Sequence, residues 1–442
     1  MSQRFLSCDR DQVLLLPVDL GEWLPAGHLA RFVIETVAEL DLSGVYGYYR
    51  RDGVGRPAHD PGMMVALVLY AYAVGVTSSR EIERRCVDDV AFRVIAANRQ
   101  PDHATIARFL VRHREALSEL FFEVLALCRR VGMVRVGTVA VDSTKLAANA
   151  SAAENRSFEG LEAEARRIIE EAIETDRRED QLYGEKRGDE LPDELADPRT
   201  RKARIRELLE QARREREVVL AKRAGLVAEH ERHLAATGKR KSGRPASHKP
   251  TERDRRTLDA KYNLTDPDSG VVRHRGMLFQ GYNVQVAASE DQVILATSVS
   301  GISPDGGQLA PMIDRVQRTL ARVAGGAEIE QVLADTGYWD ASQISQLRGR
   351  GIRVLIPPAK RRVRGKNTSP EIARMQAELA HPDRAQQYRR RQQIIEPVFA
   401  QTKHHRGITR VLRRGKAAVQ AEIDLIATTH NLLKLRTALT AG

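Results

Sequence analysis

Apolar positions recur at helical spacing through about the first 130 residues, and the period then shortens to two near Val134. Pro61 opens a strongly apolar run through Tyr72 that reads as a buried core helix ended by Gly75. Ser78, with Glu81 three residues later, forms a capping box, so the next helix is expected to begin at Ser79. A short helix over Asp89–Ala97 follows. Asp102 then caps a longer one that carries Ile106, Phe109, Leu110, Leu117, Leu120 and Phe121 on its apolar face. From Val134 to Asp142 apolar residues alternate, which predicts a strand. Tyr282–Ala288 and Val293–Val299 read as adjacent strands joined by the turn Ser289-Glu-Asp-Gln. Gln308–Val323 is an amphipathic helix. Glu330–Ala334 and Arg353–Ile356 are short buried strands, the second stopped by Pro357-Pro358.

The expected fold class is therefore α/β in the α+β sense. A mixed sheet flanked by helices follows a helical N-terminal domain, and a long helical-hairpin insertion, roughly Ala150 to Lys261, comes after the first strand. One face of the insertion carries Leu161, Ala165, Ile168, Ile169 and Ala172, and a second carries Ile205, Leu208, Leu209, Ala212, Val218 and Val219. Two charged helices of this kind pair as an antiparallel hairpin with the acidic stretch Gly184–Pro198 at the tip. The basic stretch Thr237–Pro250 is too polar and too broken by Pro and Gly to bury a core, and reads as a flexible loop. It either rides on phosphates or is a solvated linker. The domain boundaries expected are 1–130, 131–150, 151–260 and 261–442: helical N-terminal domain, first part of the core, insertion, and remainder of the core.

Composition narrows the partners. The 442 residues carry a net charge of +12 with 42% hydrophobic residues, and the pI is near 9.7. That balance describes a globular protein with a polyanionic partner, nucleic acid foremost. The longest apolar stretch, Met63 to Val76, is too short to span a bilayer, and the first eight residues lack the apolar core of a secretory signal. Cys8, Cys86 and Cys128 are odd in number and far apart, which suggests neither a disulfide framework nor a zinc knuckle and fits a reducing cytoplasm. Arg80, Arg84, Arg85, Arg93, Arg108 and Arg112 lie on three short predicted helices. These form either a helix-turn-helix-like DNA reader or a bundle whose arginines are solvated.

Three carboxylates bear on chemistry. Asp142 and Asp335 each end an apolar run, and Glu396 lies in the Arg-rich segment Tyr388–Lys403. A single Asp at a strand end is ordinarily a cap or turn residue. Together the three match what a two-metal phosphodiester site requires: hard oxygen ligands converging on two Mg²⁺ ions about 3.5–4 Å apart. Neighbouring strands would bring both Asp residues to one rim of the sheet. Gln392, Glu396, Phe399 and Lys403 share one helical face, so Lys403 would hold a phosphate while Glu396 holds metal. Pro397 requires the helix to start or kink beside Glu396. Tyr338 and Trp339 either stack on an unpaired end base or pack behind the strand.

Asp142-Ser-Thr, Tyr282-Asn-Val-Gln285, Ala334-Asp-Thr-Gly-Tyr338 and Tyr388…Glu396-Pro-Val-Phe…Lys403 together resemble a DDE transposase of bacterial insertion sequences. Gly55-Arg-Pro57, Tyr70-Ala-Tyr72, Ser78-Ser-Arg80 and Pro101-Asp-His-Ala-Thr-Ile106 resemble the helical domain preceding the core in that group. The resemblance covers nearly the whole chain except the insertion. It implies a ribonuclease H-like core with Asp142, Asp335 and Glu396 as catalytic triad, binding two Mg²⁺ ions for which Mn²⁺ substitutes. Tyr388, Arg391, Glu396 and Lys403 follow the Tyr-x-x-Arg…Glu…Lys signature, with one departure. Four residues separate Arg391 from Glu396 where the pattern has three, and Gln392 occupies the expected place. The implied DNA-contacting set is Tyr388, Arg391, Lys403, Lys145, Tyr338 and Trp339. The implied activity is metal-dependent cleavage at element ends followed by strand transfer, carried out by a homodimer or higher oligomer on DNA in the bacterial cytoplasm at the nucleoid. Two alternatives stand beside it: a non-catalytic DNA-binding protein derived from a transposase, and a nuclease that cuts without joining.

Overall fold

The computed structural model describes residues 20–49, 58–167, 198–238, 247, 249–274, 276–301, 305–323, 325–358 and 369–441. The Gly55-Arg-Pro57 motif, Ile168, Ile169 and Ala172, most of the acidic tip and residues 239–246 of the basic stretch lie outside the described residues. The chain forms two compact units. One comprises Met1–Leu146, Asn283–Ser300 and Pro304–Gly442, and the other Ala147–Tyr282 and Gly301–Ser303.

In the first unit the apolar run is the helix Pro61–Ala73, with Pro61 in its first turn and Asp60 capping the Met63 N–H at 2.7 Å. Every residue from Met64 to Ala73 is buried, which is why the run shows no polar face. The next helix begins at Ser79 as expected, but Ser78 makes no side-chain bond to it. Glu81 instead ion-pairs with Arg84 and Arg85, so the expected capping box is absent. Asp102 does cap its helix, through Thr105 N–H at 2.8 Å. The single longer helix expected beyond it is two, His103–Arg112 and Arg114–Arg130. The break buries His113, whose Nε2 lies 3.1 Å from the Tyr49 hydroxyl and whose ring stacks on Tyr49.

The strands are β1 (Thr138–Ala147), β2 (Asn155–Arg156), β3 (Tyr262–Asn263), β4 (Gly270–His274), β5 (Met277–Ser289), β6 (Ile294–Ser300), β7 (Gln331–Ala334) and β8 (Arg353–Leu355). Within the first unit the order is β6-β5-β1-β7-β8. β1 pairs parallel with β7, and β7 with β8, while β5 and β6 are antiparallel. Thr138–Val141 and Gln331–Ala334 are buried throughout, the pattern of central strands covered on both faces. The helices Leu309–Val323 and Lys416–Ala441 pack on β6, and Ala341–Gly349 packs on β8. The N-terminal helices share this unit: Cys128 Sγ donates to the Asn431 carbonyl at 3.6 Å. A mixed sheet flanked by helices beside a helical N-terminal region is consistent with the ribonuclease H-like α+β fold.

The end of the first strand also departs from expectation. β1 runs on to Ala147, so Asp142 lies within the strand, where its fully buried half ends, rather than at its last residue.

In the second unit the helix Pro198–Thr237 packs against a helix over 158–167. Leu161, Ile205, Leu208, Leu209 and Ala212 form a core with Tyr262 of β3 and Leu264. Arg213 reaches Glu162 at 3.1 Å and Arg216 reaches Glu159 at 3.7 Å, so the two helices run antiparallel. Val218, read as apolar-face, is exposed.

Candidate active site

Register builds the site. Val141 of β1 pairs with Ala334 of β7, so Asp142 and Asp335 follow the last paired residues of two parallel neighbours, strands that lie about 4.8 Å apart. Asp142 is about a fifth exposed, and its Oδ2 accepts from Arg391 Nη1 at 2.8 Å. Its Oδ1 accepts from the Ser143 N–H at 2.7 Å. Burial holds the Asp142 carboxyl above the usual carboxylate range. The Ser143 N–H and Arg391 oppose that rise, and the neighbouring Asp335 adds to it. Asp335 caps the short turn Thr336–Tyr338, its Oδ1 accepting from the Gly337 N–H at 2.8 Å. Two acids meeting one arginine is a charge arrangement that a cation would relieve.

Two lysines flank the pair. Lys145, three residues beyond Asp142, donates from Nζ to Asn283 Oδ1 at 2.6 Å and Ser143 Oγ at 3.0 Å. Lys403 donates to the Lys145 carbonyl at 2.8 Å. Tyr388 is half-buried next to Arg391, and burial pushes its phenol up. The site also holds an acid that sequence reasoning missed. Asp305 Oδ1 accepts from Asn283 Nδ2 at 2.8 Å and Gln285 Nε2 at 2.7 Å, with Lys145 Nζ at 3.7 Å.

Glu396 stands apart. It is exposed on the helix Pro382–Ala400, between Arg391, which reaches Asp142, and Lys403, which reaches the Lys145 carbonyl. Five residues turn a helix by about 140° beyond a full circle, so Glu396 and Arg391 point differently. Among the described residues no three of His, Cys, Asp and Glu gather into a metal-sized group. Two of the three expected acids are therefore brought together and the third is not.

Pro397 neither starts the helix nor ends it: the helix begins at Pro382 and runs through. The Gln393 carbonyl, which Pro397 cannot serve, accepts instead from Gln292 Nε2 at 2.9 Å. A π turn, Gln401–His405, follows and carries Lys403. Tyr338 and Trp339 are corrected too. They are only 0% and 6% exposed, and the Tyr338 hydroxyl donates to Gln285 Oε1, so both rings are packed rather than open for stacking on a base.

Residues 357–436, which contain Tyr388, Arg391, Glu396 and Lys403, match the family model of a Transposase DDE domain. Residues 18–112, which contain Arg80, Arg84, Arg85, Arg93, Arg108 and Arg112, match that of a Transposase domain (DUF772). Two separate segments of the chain are thus similar to transposase domains. No curated protein and no solved structure matches it. Asp142 and Asp335 lie between the two matched segments, so their pairing rests on strand register. Of the six arginines, Arg84 and Arg85 are engaged by Glu81, Arg93 lies over Trp23 and Arg112 over Tyr48. No described helix is long and apolar enough to cross a membrane.

Proposed function

We propose that this chain is a DDE transposase that cuts DNA at the ends of its element and joins the freed ends to target DNA, with Asp142, Asp335 and Glu396 as the acids of the reaction. The observation that carries the proposal is the side-by-side placement of Asp142 and Asp335 by parallel register, with Arg391 of the DDE-matched segment on Asp142. The donor set suits Mg²⁺ or Mn²⁺, because such ions take hard carboxylate oxygens and complete their shell with waters and substrate phosphate, so two adjacent acids suffice to begin a site. When bound, two such ions activate the attacking oxygen and steady the leaving one.

The chain's own residues do the rest. Asp142 and Asp335 would hold the ions, and Glu396 would complete the set when DNA and metal are present. Arg391 balances the charge of Asp142 in the free protein. Lys145, Lys403 and Tyr388 border the acids and orient the phosphate backbone. The N-terminal helices contact DNA through their arginines, and the helical insertion, residues 151–260, clamps DNA or a second subunit. A homodimer or higher oligomer would cut both ends in concert, in the cytoplasm at the nucleoid.

Joining is the part that separates a transposase from a nuclease. With pre-cut ends of the element and a supercoiled target plasmid in Mg²⁺, wild type is expected to give strand-transfer products. Cleavage of uncut ends without such products would favour the nuclease reading, and binding without either would favour the binding protein.

A further inference from the structure

Asp305 joins the two acid-bearing segments through a symmetrical set of hydrogen bonds. Asn283 and Gln285 stand two apart on β5, hence on one face, and both are almost wholly buried. Each amide donates to Asp305 Oδ1, at 2.8 and 2.7 Å. Each amide also has its oxygen occupied. Asn283 Oδ1 accepts from Lys145, on the same strand as Asp142, and Gln285 Oε1 accepts from the Tyr338 hydroxyl, three residues after Asp335. Both amides are thus fixed in orientation, because turning either over would set its oxygen against the Asp305 carboxylate, acceptor to acceptor. The other carboxylate oxygen, Oδ2, lies 3.4 Å from the point where a Gly337 Cβ would stand, and Asp335 Oδ1 lies 2.9 Å from the same point.

We propose that Asp305 is a positioning residue for the Asp142–Asp335 pair, an inference that rests on the metal-site reading above. Its carboxylate orders Asn283 and Gln285, and these hold Lys145 of the β1 segment and Tyr338 of the β7 segment in a fixed relation. Asp305 acts as an acceptor; it need not touch metal or DNA. A buried amide that lost this acceptor would leave its N–H unsatisfied, so both amides would turn or shift. Outer partners of this kind commonly change metal affinity about 10- to 100-fold.

The test compares full-length wild type with Asp305→Ala and Asp305→Asn, the second keeping an acceptor oxygen without the charge. In metal-free protein, amide hydrogen exchange should quicken in Asp305→Ala at both residues 142–145 and 335–338, and stay near wild type in Asp305→Asn. Titration with Mn²⁺ alone should show about tenfold weaker binding in Asp305→Ala, largely restored in Asp305→Asn. Unchanged exchange in Asp305→Ala, or exchange altered in one segment only, overturns the proposal. So does Asp305→Asn behaving like Asp305→Ala, which would assign the effect to charge, and so does altered exchange with unaltered Mn²⁺ binding. Failure of the metal-site reading is seen separately, as Mn²⁺ binding alike in wild type and Asp142→Ala. The exchange comparison then still decides whether Asp305 ties the two segments.

Discussion

Gly337 occupies a place where any side chain would press on the acids. A Cβ there would stand 2.9 Å from Asp335 Oδ1, closer than real Cβ atoms come. Gly337→Ala should therefore displace the Asp335 carboxylate while leaving the fold intact. Single-turnover cleavage is expected to fall on the order of 10- to 100-fold, with the thermal midpoint little changed. Equal cleavage by the variant would remove the steric argument. Asp142 and Asp335 were legible because each ends an apolar run, and runs of that kind become buried strands. Asp305 was not. It follows Ser303-Pro304 and precedes two glycines, which read as an ordinary turn, and its amide partners lie 22 and 20 residues away in sequence. The burial of Tyr338 was equally hidden, since an aromatic after a strand serves packing or stacking with the same letter.

At the scale of elements, the helix bearing Glu396 holds through Pro397 because another element supplies the missing bond. Gln292, in a left-handed conformation with φ 63°, reaches the Gln393 carbonyl and also accepts from Lys434 Nζ at 3.0 Å. Gln292→Ala should cost about 1 kcal/mol of stability. The cost should shrink when residue 397 is alanine, whose own N–H can serve the Gln393 carbonyl. Urea unfolding of the four proteins of this cycle measures the coupling, and strictly additive effects would contradict it. The periodic strands and helices were readable from local pattern alone. The break at His113 and the continuity through Pro397 were not, because a distant side chain decides each: Tyr49 in one case and Gln292 in the other.

For the whole molecule, the net charge of +12 by itself points to a polyanionic partner, and the likeness of two segments to transposase domains agrees. Which helices share a unit with the sheet was not legible, since the uniformly apolar helix Pro61–Ala73 carries no mark of its partner. Its neighbours include the C-terminal helix Lys416–Ala441. That helix buries His430, whose Nε2 donates to the Gln292 carbonyl at 2.9 Å. Burial, with some help from Arg406 and Lys434, pushes its imidazole down to about 3 from the ordinary 6.5. The folded-state value is depressed, so this contribution to stability is complete above pH 6.5 and is lost as pH falls toward 3. Wild type should lose about 1.4 kcal/mol per pH unit below 6.5 from this group. His430→Gln should lose correspondingly less between pH 6.5 and 5, as read from unfolding midpoints; parallel slopes would show that His430 is not held neutral.

The central claim is that three acids of this chain carry a metal-dependent attack on phosphodiester bonds, although Glu396 stands apart from the other two. The direct measurement is cleavage of DNA bearing the element's ends in Mg²⁺ or EDTA, by wild type, Asp142→Asn, Asp335→Asn and Glu396→Gln, with end binding measured in parallel. The expected result is cleavage by wild type in Mg²⁺ only, and loss of it in all three variants while end binding is kept. Normal cutting by Glu396→Gln would remove the third acid, and wild type that binds ends but never cuts in Mg²⁺ would contradict the account as a whole.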